Sequence, residues 1–117
     1  MLSFAGSLKV FVAVDPCDLR KSFDGLHALV TGQLQESVTS GALFVFTNRR
    51  RNRLKILFWD RTGLWVCTKR LEQGTFSWPA PSTAGAAKLS LTPEALTLLT
   101  DGVDLRDAKL RSWYQRE

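Results

Sequence analysis

The spacing of apolar positions changes along this chain, and each change predicts an element. From Leu8 to Val14 the chain is rich in β-formers and reads as a strand. Leu19, Phe23, Leu26, Val30 and Leu34 then recur at steps of three or four, the buried stripe of an amphipathic helix. Asp15 as N-cap, Pro16 at the first helical position and Asp18 at the positive end start that helix near residue 16 and carry it to residue 34. Gly25 and Gly32 lie within it, each weakening it by roughly 1 kcal/mol relative to alanine. Gly25 implies close packing; Gly32 implies an alternative, earlier end.

After Ser40-Gly41 the pattern turns to β. Residues 42–47, 53–60 and 64–71 read as an antiparallel meander. The first loop is Asn48-Arg49-Arg50-Arg51-Asn52. The second, Arg61-Thr62-Gly63, fits a three-residue hairpin with Gly63 at positive φ. A short strand over residues 75–78 follows, stopped by Pro79. Residues 80–87 read as a Pro/Ser/Ala/Gly linker, residues 88–91 as another short strand, and Thr92-Pro93-Glu94 as the cap of a second helix ending near Asp101-Gly102. Residues 107–116 read as a terminal helix, so that 92–117 forms a helical tail. The fold class is therefore α+β: an antiparallel sheet of four to six strands, one long helix packed on it and a C-terminal helix, in a single domain spanning residues 1–117.

A three-residue hairpin loop sets the register of the second hairpin. It places Trp59 opposite Trp65, Leu57 opposite Cys67 and Lys55 opposite Lys69 on one face. Leu54, Ile56, Phe58, Leu64, Val66 and Thr68 join Ala42, Phe44 and Phe46 on the other, which is the core. The first face is unusual, because lysines directly opposite one another repel unless an anion bridges them.

Charge sharpens this picture. Residues 48–70 carry eight basic side chains and one acid, Asp60, for a net +7; the rest of the chain carries eight and ten. The formal +5 of the 117-residue chain thus comes from one folded segment. A localised positive surface beside aromatics points to a polyanion, and nucleic acid is the first candidate. The candidate binding residues are Arg49, Arg50, Arg51, Arg53, Lys55, Lys69 and Arg70, with Trp59 and Trp65 as a stacking platform. Arg20 and Lys21 are secondary candidates; in the first helical turn they oppose the helix dipole, and Arg20 pairing with an acid is the simpler reading. Against the platform stands a plainer alternative, in which long lysines splay into solvent and a helix covers the tryptophans. Trp78-Pro79 reads as an apolar plug closing the sheet.

Other chemistries find little here. No segment approaches the roughly 20 apolar residues of a membrane span, and Lys9 interrupts any secretory leader. Cys17 and Cys67 lie far apart and read as free thiols in a reducing cytoplasm. They and the single His27 do not make a zinc site, and no cofactor is expected. Asp15, Asp18, Asp24, Asp60 and Glu72 are the acids available for metal-assisted phosphoryl transfer. Capping and turn roles account for them one by one, so no catalytic set is read. There is no phosphate-binding glycine loop.

Four stretches carry a family resemblance: Asp18-Leu19-Arg20-Lys21-Ser22-Phe23-Asp24-Gly25-Leu26, Gly41 to Phe46, Asn48 to Asp60, and Lys69 to Pro79. Together they resemble the TnpB-type accessory protein encoded by the second open reading frame of the insertion-sequence-sixty-six transposon family. This is distinct from the RNA-guided nuclease of similar name. Ser22 departs from the pattern, where glycine is expected. The resemblance spans about residues 8–105 and implies a role in bacterial transposition beside a separate transposase that carries the catalytic acids. The function expected is a transposition accessory factor that binds DNA backbone, at transposon ends or on any duplex, through the basic hairpin. The alternative is an adaptor that docks on the transposase through Trp59, Trp65 and Trp78, its basic loop meeting acidic protein. A nuclease is the third and weakest reading.

Overall fold

A computed structural model describes residues 8–81 and 83–102. Five strands form one sheet in the order β4-β3-β2-β1-β5. In chain order they are β1 (Val10–Ala13), β2 (Leu43–Thr47), β3 (Arg53–Trp59), β4 (Leu64–Arg70) and β5 (Lys88–Leu91). Helix α1 (Phe23–Gly32) and a 3₁₀ turn at Val38–Ser40 connect β1 to β2, and α2 (Pro93–Thr100) follows β5. The α+β class stands, with one correction. β1 and β2 are parallel, so the sheet is mixed. A strand followed by a helix and then a strand is the usual source of such pairing, because parallel strands need a long crossover.

α1 is shorter than its apolar periodicity suggests. Asp15 and Pro16 do not start it. The Cys17 amide instead donates to the Thr47 carbonyl at the end of β2, at 2.9 Å. Asp18 then folds a turn of its own: its carboxylate accepts from the Arg20 amide at 2.9 Å, and Lys21 N–H donates to Asp18 O at 3.1 Å. Side-chain bonds of this kind compete with helical ones. The helix begins at Phe23, which is exposed, and buries Leu26 and Val30, with Leu34 just beyond its end. It ends at Gly32, the earlier of the two expected ends. Gln35 takes the left-handed conformation (φ 55°), and Glu36 N–H reaches back to Val30 O at 3.0 Å. Gly25 is closely packed, since a Cβ there would meet Lys21 Cβ at 2.9 Å.

The second hairpin differs from the expected register by one residue. Asp60 N–H donates to Gly63 O at 3.1 Å, which closes a four-residue turn. The positive φ falls on Arg61 (85°) and not on Gly63. Trp59 is therefore opposite Leu64, Phe58 opposite Trp65, Leu57 opposite Val66, Lys55 opposite Thr68 and Leu54 opposite Lys69. Trp59 and Trp65 lie on opposite faces of the sheet, and so do Lys55 and Lys69.

Both faces of the sheet are covered. On one, Phe44, Phe46 and Leu57 pack with Leu19, Leu26, Val30 and Leu34 of the α1 layer. On the other, Val12, Leu43, Val45, Leu54 and Ile56 pack with Phe76, Leu96 and Leu99. Phe44 and Ile56 are both buried, but on opposite faces rather than one shared face. The second cover is part helix and part irregular chain. Residues 75–78 form no strand; Phe76 is buried and its amide donates to Arg51 O at 2.6 Å. Trp78 is half-buried and donates its indole N–H to Ala13 O at 2.9 Å, consistent with a plug. The Thr92 hydroxyl caps α2 by accepting from Ala95 N–H at 3.1 Å, with Pro93 at the first helical position as expected. Lys88, on β5, bonds Leu34 O at 2.7 Å and the Glu36 carboxylate, tying that edge strand to the end of α1. The helix expected over residues 107–116 lies outside the described residues.

The observed register makes an energetic prediction. Phe44 is fully buried whereas Phe58 is half-buried. Phe44→Ala should cost about 3–5 kcal/mol in urea unfolding, and Phe58→Ala clearly less. Equal losses would support the register in which both point into one core.

Candidate nucleic-acid interface

The arginine-rich segment is a built turn. The Asn48 carbonyl oxygen of the side chain accepts from the amides of Asn52 (3.1 Å) and Arg53 (3.2 Å), and its side-chain NH₂ donates to Asn52 Oδ1 at 2.7 Å. Arg51 N–H donates to Asn48 O at 3.1 Å. The Thr47 hydroxyl closes the base by donating to Arg53 O at 2.9 Å. Arg51 itself adopts the left-handed conformation (φ 58°), which costs a non-glycine residue energy and is held by these bonds. Arg49, Arg50 and Arg51 are exposed on this clasp.

The strands leaving the turn continue the charge. Arg53 lies directly opposite Arg70, both exposed, at the open end of the hairpin. Alternation puts them on the α1 side of the sheet together with Lys55 and Thr68. The acid near them is Glu72, 3.6 Å from Arg70 and well exposed, a pair of small energetic worth. Pro16, Cys17, Asp18 and Leu19 line one cleft with Asn48, Arg49 and Arg50, so the segment before α1, with its acid, borders the arginine turn.

The remaining candidates are placed differently. Half-buried Lys55 donates to Lys21 O at 2.9 Å, fastening the start of α1 to the sheet. Lys69, on the opposite face, donates to Thr100 O at 2.6 Å and caps the C-terminus of α2, where a cation is favoured. Arg20 is paired bidentately with Asp18 (Nη2 to Oδ2, 2.6 Å), an exposed acid of its own turn. Those bonds hold the Asp18 carboxyl at about 2. Trp65 is 53% exposed and stacks on Phe58 with centroids 6.1 Å apart, and Trp59 lies half-buried on the other face. The two tryptophans do not form one platform.

Asp60 is a structural acid. One oxygen accepts from Thr62 N–H, the Thr62 hydroxyl and Gly63 N–H, each at 3.0 Å, while the other accepts from the Trp65 indole at 2.7 Å. His27 is exposed on α1. Both cysteines are free, and burial pushes the Cys17 thiol up despite the nearby Lys21. Among the described residues no three His, Cys, Asp or Glu side chains converge as metal ligands, and no helix is long and apolar enough to cross a membrane. Sequence reasoning missed two things here. One is the Asn48 clasp, signalled by asparagines four apart flanking the arginines. The other is the engagement of the lysines with backbone carbonyls, for which the sequence carries no local signal.

A family model described as IS66 Orf2 like protein matches residues 8–110. The chain belongs to that family, whose members are accessory proteins of an insertion sequence. It is similar to the uncharacterized protein y4jC of Sinorhizobium fredii, 38% identical over 104 residues that cover 89% of this chain and 86% of the relative. It is also similar to the uncharacterized protein y4hO of the same organism, 35% identical over 106 residues covering 91% and 90%. No solved structure matches the chain.

The Asp60 bonds have a measurable consequence. Hydrogen bonds from Trp65 and Thr62 lower its carboxyl from 3.8 to about 2. A depressed carboxyl stabilises the turn above its unfolded value and loses that contribution as pH falls through the folded value. The Asp60 carboxyl carbon and Trp65 indole resonances should titrate together with a midpoint near 2, and a midpoint near 3.8 would mean the bond is absent.

Proposed function

We propose that this chain serves its insertion sequence by binding nucleic-acid backbone with the open end of the β3–β4 hairpin. The binding set is Arg49, Arg50 and Arg51 on the clasped turn and Arg53 and Arg70 on the strands, with Lys55 and Lys21 behind them. The observation that carries this reading is Arg53 directly opposite Arg70 beside that turn. Like charges across a strand pair repel, and phosphates lying between them reverse the sign. Lys69 belongs to the fold in this reading, because it lies on the other face of the sheet, where its ammonium caps α2. Trp65 is left outside the basic surface, on the other face.

Contacts of this type position a duplex without reading its bases, so sequence preference is weak. If about five phosphates are neutralised, log affinity falls against log salt with a slope near −4 to −5. Arg49, Arg50 and Arg51 changed together to alanine should flatten that slope by about three and leave stability nearly unchanged, since exposed charges contribute little. Lys69→Met should leave the slope alone and destabilise the fold by roughly 1 kcal/mol through the lost helix cap. Binding that is insensitive to the triple change would place the anion site elsewhere.

The exposure of Trp65 favours a second reading, an adaptor that docks on the transposase. It expects no DNA affinity at low salt, and co-purification with the transposase that survives nuclease treatment and is lost on Trp65→Ala.

A further inference from the structure

β4 is an edge strand of seven residues, and among the described residues nothing pairs with its outer side. The hydrogen-bonding phase of that edge can be read from its ends. Leu71 N–H donates to Asn52 O, and Gly63 O accepts from Asp60 N–H, so residues 63 and 71 bond inward toward β3. Antiparallel ladders alternate, so the backbone groups of Leu64, Val66, Thr68 and Arg70 point outward. Long open edges are a hazard unless they are blocked or occupied; this one carries neither proline nor a bulge, and its charges, Lys69 and Arg70, are confined to one end.

We infer that a second copy of this chain occupies the edge, joined β4 to β4 in antiparallel fashion with Cys67 on the two-fold axis. This register uses all four outward residues. Val66 pairs with Thr68 of the other copy, and Leu64 with Arg70. It also resolves the side chains. On the α2 side Trp65 falls opposite Lys69 of the second copy, and Cys67 faces Cys67. The apolar end of each strand meets the basic end of its mate, so no like charges are opposed. Shifting by four residues would set Lys69 against Lys69. The Trp65 ring is already fixed by Asp60, whose carboxylate adds negative charge at the end that receives Lys69 and Arg70. Docking there covers the ring, which is otherwise 53% exposed. A two-fold axis normal to the sheet keeps both α1 faces on one side. The two Arg53–Arg70 pairs then lie on one surface, about 20 Å apart along the seam, from six residues of strand rise.

The test uses the full chain carrying Cys17→Ser, which leaves Cys67 as the lone thiol. Sedimentation should give twice the monomer mass. Mild oxidation should join the copies rapidly, because directly opposed residues of a non-hydrogen-bonded pair lie within disulfide range. Moving the thiol with Cys67→Ser and Lys69→Cys should abolish rapid joining, since the two new thiols lie four residues apart across the seam. Thr68→Pro removes an outward amide, a place where an edge strand tolerates proline, and should give a monomer with an unchanged far-ultraviolet spectrum. If that variant fails to fold, the comparison of thiol positions decides alone. A monomer at the highest soluble concentration overturns the inference. So does joining at position 69 as fast as at 67. Protection of the β4 amides that appears only when transposase is added would assign the edge to that protein instead.

Discussion

β2 is buried along its whole length, on both faces. Leu43 and Val45 point to one side, Phe44 and Phe46 to the other, and each side requires a cover that also hides its own backbone. α1 provides the first cover with Leu26 and Val30. The second is assembled from α2 and from the irregular segment carrying Phe76, whose amide is satisfied by Arg51 O. That requirement determines the rest of the layout. β1 must come beside β2 through the α1 crossover, and β3 takes the other side. β4 is left at the margin with only part of its length under α1.

The same constraint explains what could and could not be read from the residues. The strands, the Thr92 cap and the α+β class were legible because each has a local cause: β-branched runs, a hydroxyl before proline, and turn residues between. The meander of β2, β3 and β4 was legible too, and the parallel pairing of β1 with β2 was latent in the strand-helix-strand order, although the sheet was expected to be antiparallel throughout. The register was not legible. With both faces buried, Leu54, Ile56 and Leu57 are all core residues, so apolar alternation cannot choose between two alignments. The choice fell to Asp60, whose hydrogen bonds to Thr62, Gly63 and Trp65 make a four-residue turn. The helix start failed for a related reason. Asp15-Pro16 is a good local start signal, but the Cys17 amide is claimed by Thr47 at the end of β2, a partner distant in sequence.

For the candidate site, the segment was legible and its geometry was not. Charge density alone singled out residues 48–70. That Lys55 and Lys69 would separate onto opposite faces depended on the register. That their ammonium groups would each find a carbonyl, of Lys21 and of Thr100, depended on where the helices ended.

This separation has an energetic logic. Along β3 the cations pass from half-buried Lys55 to exposed Arg53, while on β4 both Lys69 and Arg70 are exposed. Half-buried Lys55 lies beside the covered part of the sheet, where an unmatched charge would be costly, and it is matched by the Lys21 carbonyl; exposed Lys69 is used on the Thr100 carbonyl. Arg53 and Arg70 lie at the open end, beyond both covers. Two like charges there, in a nearly aqueous dielectric, cost only about 1 kcal/mol even at about 4 Å. Burying a single phenylalanine of β2 contributes several times that. The core can therefore support a concentrated positive end on the hairpin, provided the end stays outside the helices' cover and its backbone is held independently. The Asn48 clasp provides that independence, fixing the direction of three arginines through bonds that involve none of their side chains.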